Sequence, residues 1–318
     1  MPMACPHPAE RQQRLFGARD YITGDRFTLE QCGRCGIAFT RPQPAIDELG
    51  KYYPSTYYGG GTGRFPALVE LLQRALYRRR VLAVEKVLGR KGRVLDIGCG
   101  PGFLLREFRD RWWQVQGTEF SEQSAAHARD VLGLPVAAGD VRELKFESAS
   151  FDAVVMWHVL EHIPEPEQTL AEVVRVLRPG GVFLCAVPNF GSAEARFARD
   201  KWFHLDVPRH LNHFTVESVR TLLSAHGFTF ERASFLSLEY DYFSFTQSML
   251  NRAGLRHNLL YNLLRGTRAK VLGEKSAPVW QKFVSLVLAA PLGILSVPAT
   301  TLAALFRGGA TVTIYTRK

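Results

Sequence analysis

The sequence predicts an α/β core: a doubly wound parallel sheet covered by helices on both faces. Three observations carry that prediction. Between positions 93 and 239, apolar runs of strand length alternate with helical stretches, a pattern of parallel strands joined by helical crossovers. The first run, VLDIGCGPG (Val94 to Gly102), opens into a loop with Gly98, Gly100 and Gly102, which lets backbone approach a bound ligand with no side chain in the way. The chain closes on ATVTIYTRK, which reads as a further strand.

From the N-terminus, residues 1–60 are rich in Cys, Pro, Tyr and Gly and form a ribbon-like segment that ends at the glycine-rich boundary YYPSTYYGGGTG. Residues 61–239 make the core. A helix over 66–89 carries apolar positions at helical spacing, with Arg74, Arg78, Arg79 and Arg80 among them. The strands that follow are GRVLDI, WQVQGTE, LPVAA, FDAVVMW, GVFLCAV and FTFERASFL, with helices near 103–110, 121–132, 166–178 and 215–226. Residues 240–309 are a basic and hydrophobic helical insertion, and 310–318 return to the core as the closing strand.

Within the insertion, Phe283 to Phe306 is uncharged and long enough as a helix to cross a bilayer. A crossing would strand the closing segment on the far side from its sheet and leave an open edge. Pro291, Gly293 and Pro298 interrupt the run, so a bent or hairpin-like pair of short helices lying in one leaflet is expected. Arg252, Arg256, Arg265, Arg268, Lys270, Lys275 and Lys282 face a lone acid, Glu274, in the preceding stretch, which suits anionic headgroups. The bland reading is that the apolar helices cover the sheet or pair with a second copy in a homodimer.

A hydrophobic fraction of 46% over 318 residues is ordinary for an enzyme with one full core. The first residues, MPMACPHPAERQQRLFG, hold no apolar stretch of signal-peptide length, so the expectation is the reducing cytoplasm with the five cysteines unpaired. The net charge of +10 invites a nucleic-acid reading. It is disfavoured, because the charge is split between the 74–93 helix region and the insertion with no recognisable nucleic-acid module.

A glycine loop followed by an acid about 20 residues on also describes a nicotinamide dinucleotide fingerprint, and Glu119 meets that description. The spacing here is G-x-G-x-G, however, Asp96 stands two residues before the first glycine, and MWHVLEHIPEP after the fourth strand fits no dehydrogenase pattern. On these residues the chain resembles the class I S-adenosylmethionine-dependent methyltransferases, and among them the ubiquinone-biosynthesis O-methyltransferase-like group, from Arg93 to Phe230 and again over the last strand. The resemblance implies a Rossmann-like sheet with an antiparallel last strand. It also implies that Asp96 and the loop Gly98, Cys99, Gly100 and Gly102 hold the methionine part of S-adenosyl-L-methionine. Glu119 would take the ribose hydroxyls, and Asp140 would accept from the adenine amino group with Phe120 and Val141 beside the ring.

Cys32-Gly-Arg-Cys35 is a metal knuckle, and one knuckle supplies two of the four ligands a structural zinc needs. Cys5 and His7 offer the others, so a Cys3His zinc set is expected, against the alternative of a vestigial ribbon held by Tyr52, Tyr53 and Tyr57. In similar methyltransferases a paired-knuckle ribbon precedes such a segment, and here the first knuckle is degenerate.

Methyl transfer to a hydroxyl needs alignment and proton removal. His158, Glu161 and His162 follow the fourth strand, where open parallel sheets bind ligands, and their spacing would put all three on one helical face. Either His158 or His162 is a general base, or the set collects a divalent ion that orients a diol. A second cluster, KWFHLDVPRHLNHFT (201–215), brings His204, Asp206, Arg209, His210 and His213 into one segment suited to a lid over a polar acceptor; His210 and His213 join His158 and His162 as catalytic candidates. A similar D-x-P-R-H segment occurs in related membrane-associated methyltransferases of glycan and lipid pathways. The expected function is therefore O-methylation of a glycan, lipid-linked sugar or quinone-like lipid, by an enzyme peripheral to a cytoplasmic membrane face. The alternatives are a sugar C-methyltransferase, a nicotinamide-dependent oxidoreductase and a non-catalytic zinc-ribbon binding protein.

Overall fold

The computed structural model describes residues 11–45, 48–53, 67–264 and 277–318. Cys5 and His7, Tyr57, and Arg265, Arg268, Lys270, Glu274 and Lys275 lie outside the described residues.

The chain begins with an antiparallel meander, β1 (Gln12–Arg19), β2 (Arg26–Cys32) and β3 (Ala38–Arg41), followed by one turn of helix, α1 (Leu49–Tyr52). A long helix, α2 (Ala67–Leu88), leads into β4 (Arg93–Ile97), α3 (Phe103–Asp110), β5 (Gln114–Glu119), α4 (Glu122–Ala126) and β6 (Val136–Ala138). The second half runs through β7 (Phe151–Trp157), α5 (Pro166–Val176), β8 (Leu177–Pro188), α6 (Ala193–Ala198), β9 (Asn212–His213), α7 (Val216–Ala225) and β10 (Thr229–Ser234). Then come α8 (Asp241–Arg252), α9 (Leu259–Leu264), α10 (Val279–Leu305) and β11 (Thr311–Arg317).

The large sheet has the order β10-β11-β8-β7-β4-β5-β6. β4, β5, β6, β7 and β8 run parallel, and β11 inserts antiparallel between β8 and β10. Period-2 alternation explains why both faces are covered. On β4 and β7, Val94, Ala153 and Val155 pack with Val84, Leu105, Phe108 and Ala128 on one side. Leu95, Val154 and Met156 pack with Leu170, Val173, Val219 and Leu222 on the other. The helix starts are chemically marked. Pro166 opens α5, Ser121 and Ser192 cap α4 and α6, and Thr215 and Ser218 form a reciprocal capping box at α7.

One expectation is corrected. The apolar run is a single 27-residue helix, α10, rather than a pair of short helices. A proline inside a helix removes one backbone donor without reversing the chain. Here the Ser296 and Thr300 hydroxyls also donate back to the carbonyls of Gly293 (2.6 Å) and Ser296 (2.7 Å), so helical hydrogen bonding is supplemented locally. The N-terminal meander is joined to the core loop, a pairing with no signal in the sequence. β9, from the second histidine cluster, pairs antiparallel with β3 (Ala38 with His213, Phe39 with Asn212) and completes the sheet β1-β2-β3-β9. Cys32, Ile37 and Phe39 enter the same apolar layer as Leu95 and Met156.

Candidate active site

The loop after β4 is shaped by close packing. Gly98 has φ +67°, and a Cβ there would come within 2.5 Å of the Val159 side chain; Gly102 has φ +87°, and its Cβ would meet Leu134 at 2.7 Å. Neither position admits another residue without movement. Gly100, at φ +55°, faces open space. Glu119, at the end of β5, ties the loop to the next strand: Oε2 accepts from the Gly100 amide (2.8 Å) and Oε1 from Ser121 (2.9 Å). Asp96 is buried, and burial together with the nearby Glu119 raises its pKa to about 8.

Phe120 is 74% exposed beside this loop, while Val141 is buried. Asp140 accepts from the Arg142 amide (2.9 Å) and from its guanidinium (2.7 Å at the closest), and those bonds hold its carboxyl below the usual range despite partial burial. Arg142 also reaches Glu165 and Gln168 at 2.9 Å. Cys99 is tied by its amide to Thr118 O (3.0 Å), and burial pushes its thiol pKa up.

Beyond β7, His158 takes a left-handed conformation (φ +55°), and Leu160–His162 is a single 3₁₀ turn. His158, Glu161 and His162 therefore do not share one helical face. His158 Nδ1 lies 3.2 Å from Glu161 Oε1, whereas His162 Nδ1 turns to the Arg209 carbonyl (3.0 Å) and the Tyr53 hydroxyl (3.1 Å). Burial raises the Glu161 pKa to about 7 and lowers that of His158 to about 4.

The partners fix several tautomers, because a carbonyl only accepts. His162 and His210 each direct Nδ1 at a carbonyl, of Arg209 and of His204 (2.8 Å), which leaves a lone pair on Nε2 of both rings. Thr40 gives its one hydroxyl proton to His210 O (2.7 Å), so the His213 Nε2 at 3.0 Å from that hydroxyl is the donor. His213 thus spends Nε2 holding β9 to β3. One donor atom each of Glu161, His162 and His210 lie within 4.8 Å of one another, a set able to hold a metal ion.

Several residues here carry no motif. Tyr240, just before α8, meets His158 edge-on at 4.7 Å between ring centroids, and His204 lies parallel to His158 at 6.5 Å. His158 Nε2 and His204 Nε2 are buried without a hydrogen-bond partner among the described residues. Arg80 of α2 covers the Trp157 ring at 3.6 Å and pairs with Glu239. Arg209, fully buried, reaches Asp206 and Asp20 at 2.7 Å and the Tyr52 carbonyl at 3.0 Å, binding the N-terminal sheet to the histidine loop. Of the zinc set, Cys32 is buried among apolar side chains and Cys35 is partly buried beside it. Cys5 and His7 are outside the described residues.

A ligand that suits this loop must tolerate two neighbouring carboxyls, Asp96 and Glu119, at its edge. A pyrophosphate offers such carboxyls only acceptors, whereas an ammonium group and ribose hydroxyls offer donors. Comparison with known proteins agrees. Residues 58–233 match the family model described as a methyltransferase domain. A probable S-adenosylmethionine-dependent methyltransferase of Mycolicibacterium smegmatis is 32% identical over 181 residues, 56% of this chain and 68% of that protein. Phosphatidylethanolamine N-methyltransferase of Cereibacter sphaeroides is 39% identical over 131 residues, and demethylmenaquinone methyltransferase of Staphylococcus aureus 32% over 130. These alignments cover 39% and 38% of this chain, and 59% and 53% of the relatives. The fold and the loop define a class I methyltransferase core. The chain belongs to the methyltransferase-domain family and is an S-adenosylmethionine-dependent methyltransferase.

Proposed function

We propose that this methyltransferase acts on an oxygen of a glycan, lipid-linked sugar or quinone-like lipid, while lying on the cytoplasmic face of a membrane. The observation that carries the membrane reading is the inverted packing of α10. Its fully buried side chains are small and polar, Ser285 (0% exposed), Ser296 (0%) and Thr300 (5%), with Val284, Ala289 and Leu292 half-buried against the cluster of Leu250, Leu255 and Leu260, while Phe283 (67%), Ile294 (75%) and Leu305 (75%) face outward. A helix in water packs the other way round, whereas small residues at helix contacts with apolar residues outside suit a lipid surroundings. The helix is about 40 Å long at 1.5 Å per residue. It ends six residues before β11, which pairs within the sheet, and Gln281 in its first turn accepts from the Arg256 amide, so both ends of α10 are tied to the rest of the chain, which supports a helix lying on the membrane. Relatives whose names specify phosphatidylethanolamine and demethylmenaquinone support an acceptor of lipid character.

S-adenosylmethionine supplies an electrophilic methyl group on a sulfonium. Asp96, the glycine loop and Glu119 would hold its methionine and ribose parts. Phe120, Val141 and the remaining acceptor capacity of Asp140 would hold the adenine. Val159 packs against Gly98, and His158 precedes it in the chain, which supports a role for His158 near the cofactor loop. Ionised Glu161 accepts from His158 Nδ1–H and so presents the Nε2 lone pair, the form needed to take a proton from an acceptor hydroxyl. His162 and His210 present Nε2 lone pairs nearby.

A second reading rests on the closeness of Glu161, His162 and His210: a divalent ion there would orient a diol. Metal analysis separates this ion, lost in His210→Ala, from a zinc on Cys5, His7, Cys32 and Cys35, lost in Cys32→Ser. The membrane reading is tested by flotation with anionic vesicles. Wild type should float and resist release by high salt, while Phe283→Asp/Ile294→Asp should stay at the bottom, because apolar burial of about 1.5 to 3 kcal/mol per large side chain is lost and is not screened by ions. A wild type that does not float at all contradicts the proposal and favours α10 as a protein-covered or dimer-forming helix.

A further inference from the structure

A cleft of about 580 Å³ lies against the small sheet, and it is lined by Arg14, Arg19, Arg26, Arg41, Lys201 and Arg256. Its volume is that of a small-ligand site. The carboxylates at its edge are already committed: Asp20 accepts from Arg209 at 2.7 Å, and Asp200 lies 3.1 Å from Lys201. Among the described residues, no carboxylate lies within ion-pair distance of Arg19, Arg26 or Arg41, while Arg14 has Glu30 as its cross-strand partner. Arg19 and Arg26 are direct cross-strand partners on β1 and β2. Like charges in that register destabilise a hairpin unless an anion stands between them. Gly17, opposite Thr28 on the same face, keeps the floor of the cleft low beside these guanidinium groups.

Two structural links connect this cleft to the rest of the enzyme. Tyr21 and His257 stack at 5.9 Å and 7° as its end wall, and Arg209 lies over the Tyr21 ring at 4.8 Å while its carbonyl holds His162. On the other side, the Arg256 amide donates to Gln281 Oε1 of α10 at 3.1 Å, so the cationic rim is attached to the first turn of the apolar helix.

We propose that this cleft binds the phosphoryl or diphosphate group of the methyl acceptor, held by arginine forks that match phosphate oxygens in pairs. The proposal rests on the membrane-associated methyltransferase reading and narrows its acceptor to a phosphate-bearing one. A cleft fixed to the start of α10 lies where headgroup phosphates would be found, and Arg209 connects its wall to the catalytic histidines.

The test compares wild type with Arg19→Ala/Arg26→Ala, two exposed strand residues remote from the cofactor loop, and with Arg19→Lys/Arg26→Lys. Binding of inorganic pyrophosphate is titrated by calorimetry, and binding of phosphatidylglycerol vesicles is measured by flotation. S-adenosylmethionine affinity is measured on every variant. The alanine pair should weaken at least one of the two phosphate ligands about tenfold or more, with the lysine pair intermediate and cofactor affinity unchanged. Loss confined to pyrophosphate identifies a soluble phosphate ligand; loss confined to vesicles identifies a lipid headgroup. Wild-type protein that takes neither ligand, an alanine pair that binds both as wild type does, or capture of a single-stranded oligonucleotide in place of both overturns the proposal. If S-adenosylmethionine fails to bind wild type while pyrophosphate binds, the enzymatic reading fails and the cleft stands.

Discussion

Glu119 fixes the Gly100 and Ser121 amides, and the proposed site gives the same carboxylate the ribose hydroxyls of the cofactor. Charge-assisted hydrogen bonds are worth about 1.5 to 3 kcal/mol each, so Glu119→Ala should lower S-adenosylmethionine affinity at least about tenfold in a calorimetric titration. Wild-type affinity in that variant would remove Glu119 from the site. The proton-transfer pair gives a second expectation at this scale. Burial raises Glu161 to about 7, and the proposed role of His158 as base requires Glu161 ionised, so on that proposal the rate should rise with pH through that value. Glu161→Gln should lose this limb and reduce kcat by about 10²- to 10⁴-fold with cofactor affinity kept. A Glu161→Gln profile that still rises near pH 7 assigns the limb to another group. Glu119, 19 positions from Gly100, was reached through a family resemblance, while the glycine loop was legible in the sequence because its geometry is local. The relation of His158 to His162 was not, because the left-handed φ at His158 and the 3₁₀ turn break the helical spacing that their positions suggest.

Among the elements, strands and crossover helices of the core followed from alternation alone, since each apolar run had one partner pattern and two covered faces. β9 had no such signal. It is two residues long, and its pairing with β3 depends on Thr40 and Arg209, which lie 173 and 189 positions from their partners His213 and Asp20. α10 was legible in length and apolarity, but not in direction, because prolines at 291 and 298 read as breaks while the chain continues through them. The tie between the small sheet and the histidine loop is open to a direct measurement. Arg209→Ala leaves Asp20 buried without its cation, and breaking a buried pair costs about 3 to 5 kcal/mol. Urea unfolding should show a loss of that size; a loss below about 1 kcal/mol would mean that the two parts are held together by other contacts.

Over the whole molecule, buried titratable groups set an unusual pH dependence. Burial lowers His158 and His257 to about 4, His204 and His213 to about 3, and His210 well below 6.5. The unfolded chain therefore binds protons that the native one refuses as pH falls below 6.5, and stability drops on that side. Glu161, Glu194 and Asp241 are raised to about 7 and Asp96 to about 8 by burial. These groups keep protons that the unfolded chain has lost, so their contribution is full below the ordinary carboxyl pKa and disappears as pH rises through 7 to 8. The histidines and acids nearly offset each other between about pH 4.5 and 6.5, and above that only the acids act. Cofactor-free protein should be most stable near pH 6.5 and weaken toward pH 8. Glu194→Gln, which keeps an acceptor for Ser244 and Ser248, should flatten the alkaline decline by about half a proton near pH 7, or about 0.7 kcal/mol per pH unit in urea titrations. A stability that climbs between pH 7 and 8 would show that these carboxyls are ionised in the native state.

The most direct measurement at this scale is methyl transfer itself. Purified enzyme is given S-adenosylmethionine labelled on the methyl group, together with membrane lipids extracted from cells and, separately, with soluble glycans. Label should enter the lipid fraction through an alkali-stable methyl ether, and His158→Ala should abolish the transfer while still binding the cofactor. Label appearing only in soluble glycans, or transfer that survives in His158→Ala, would contradict a membrane-borne acceptor deprotonated at this histidine.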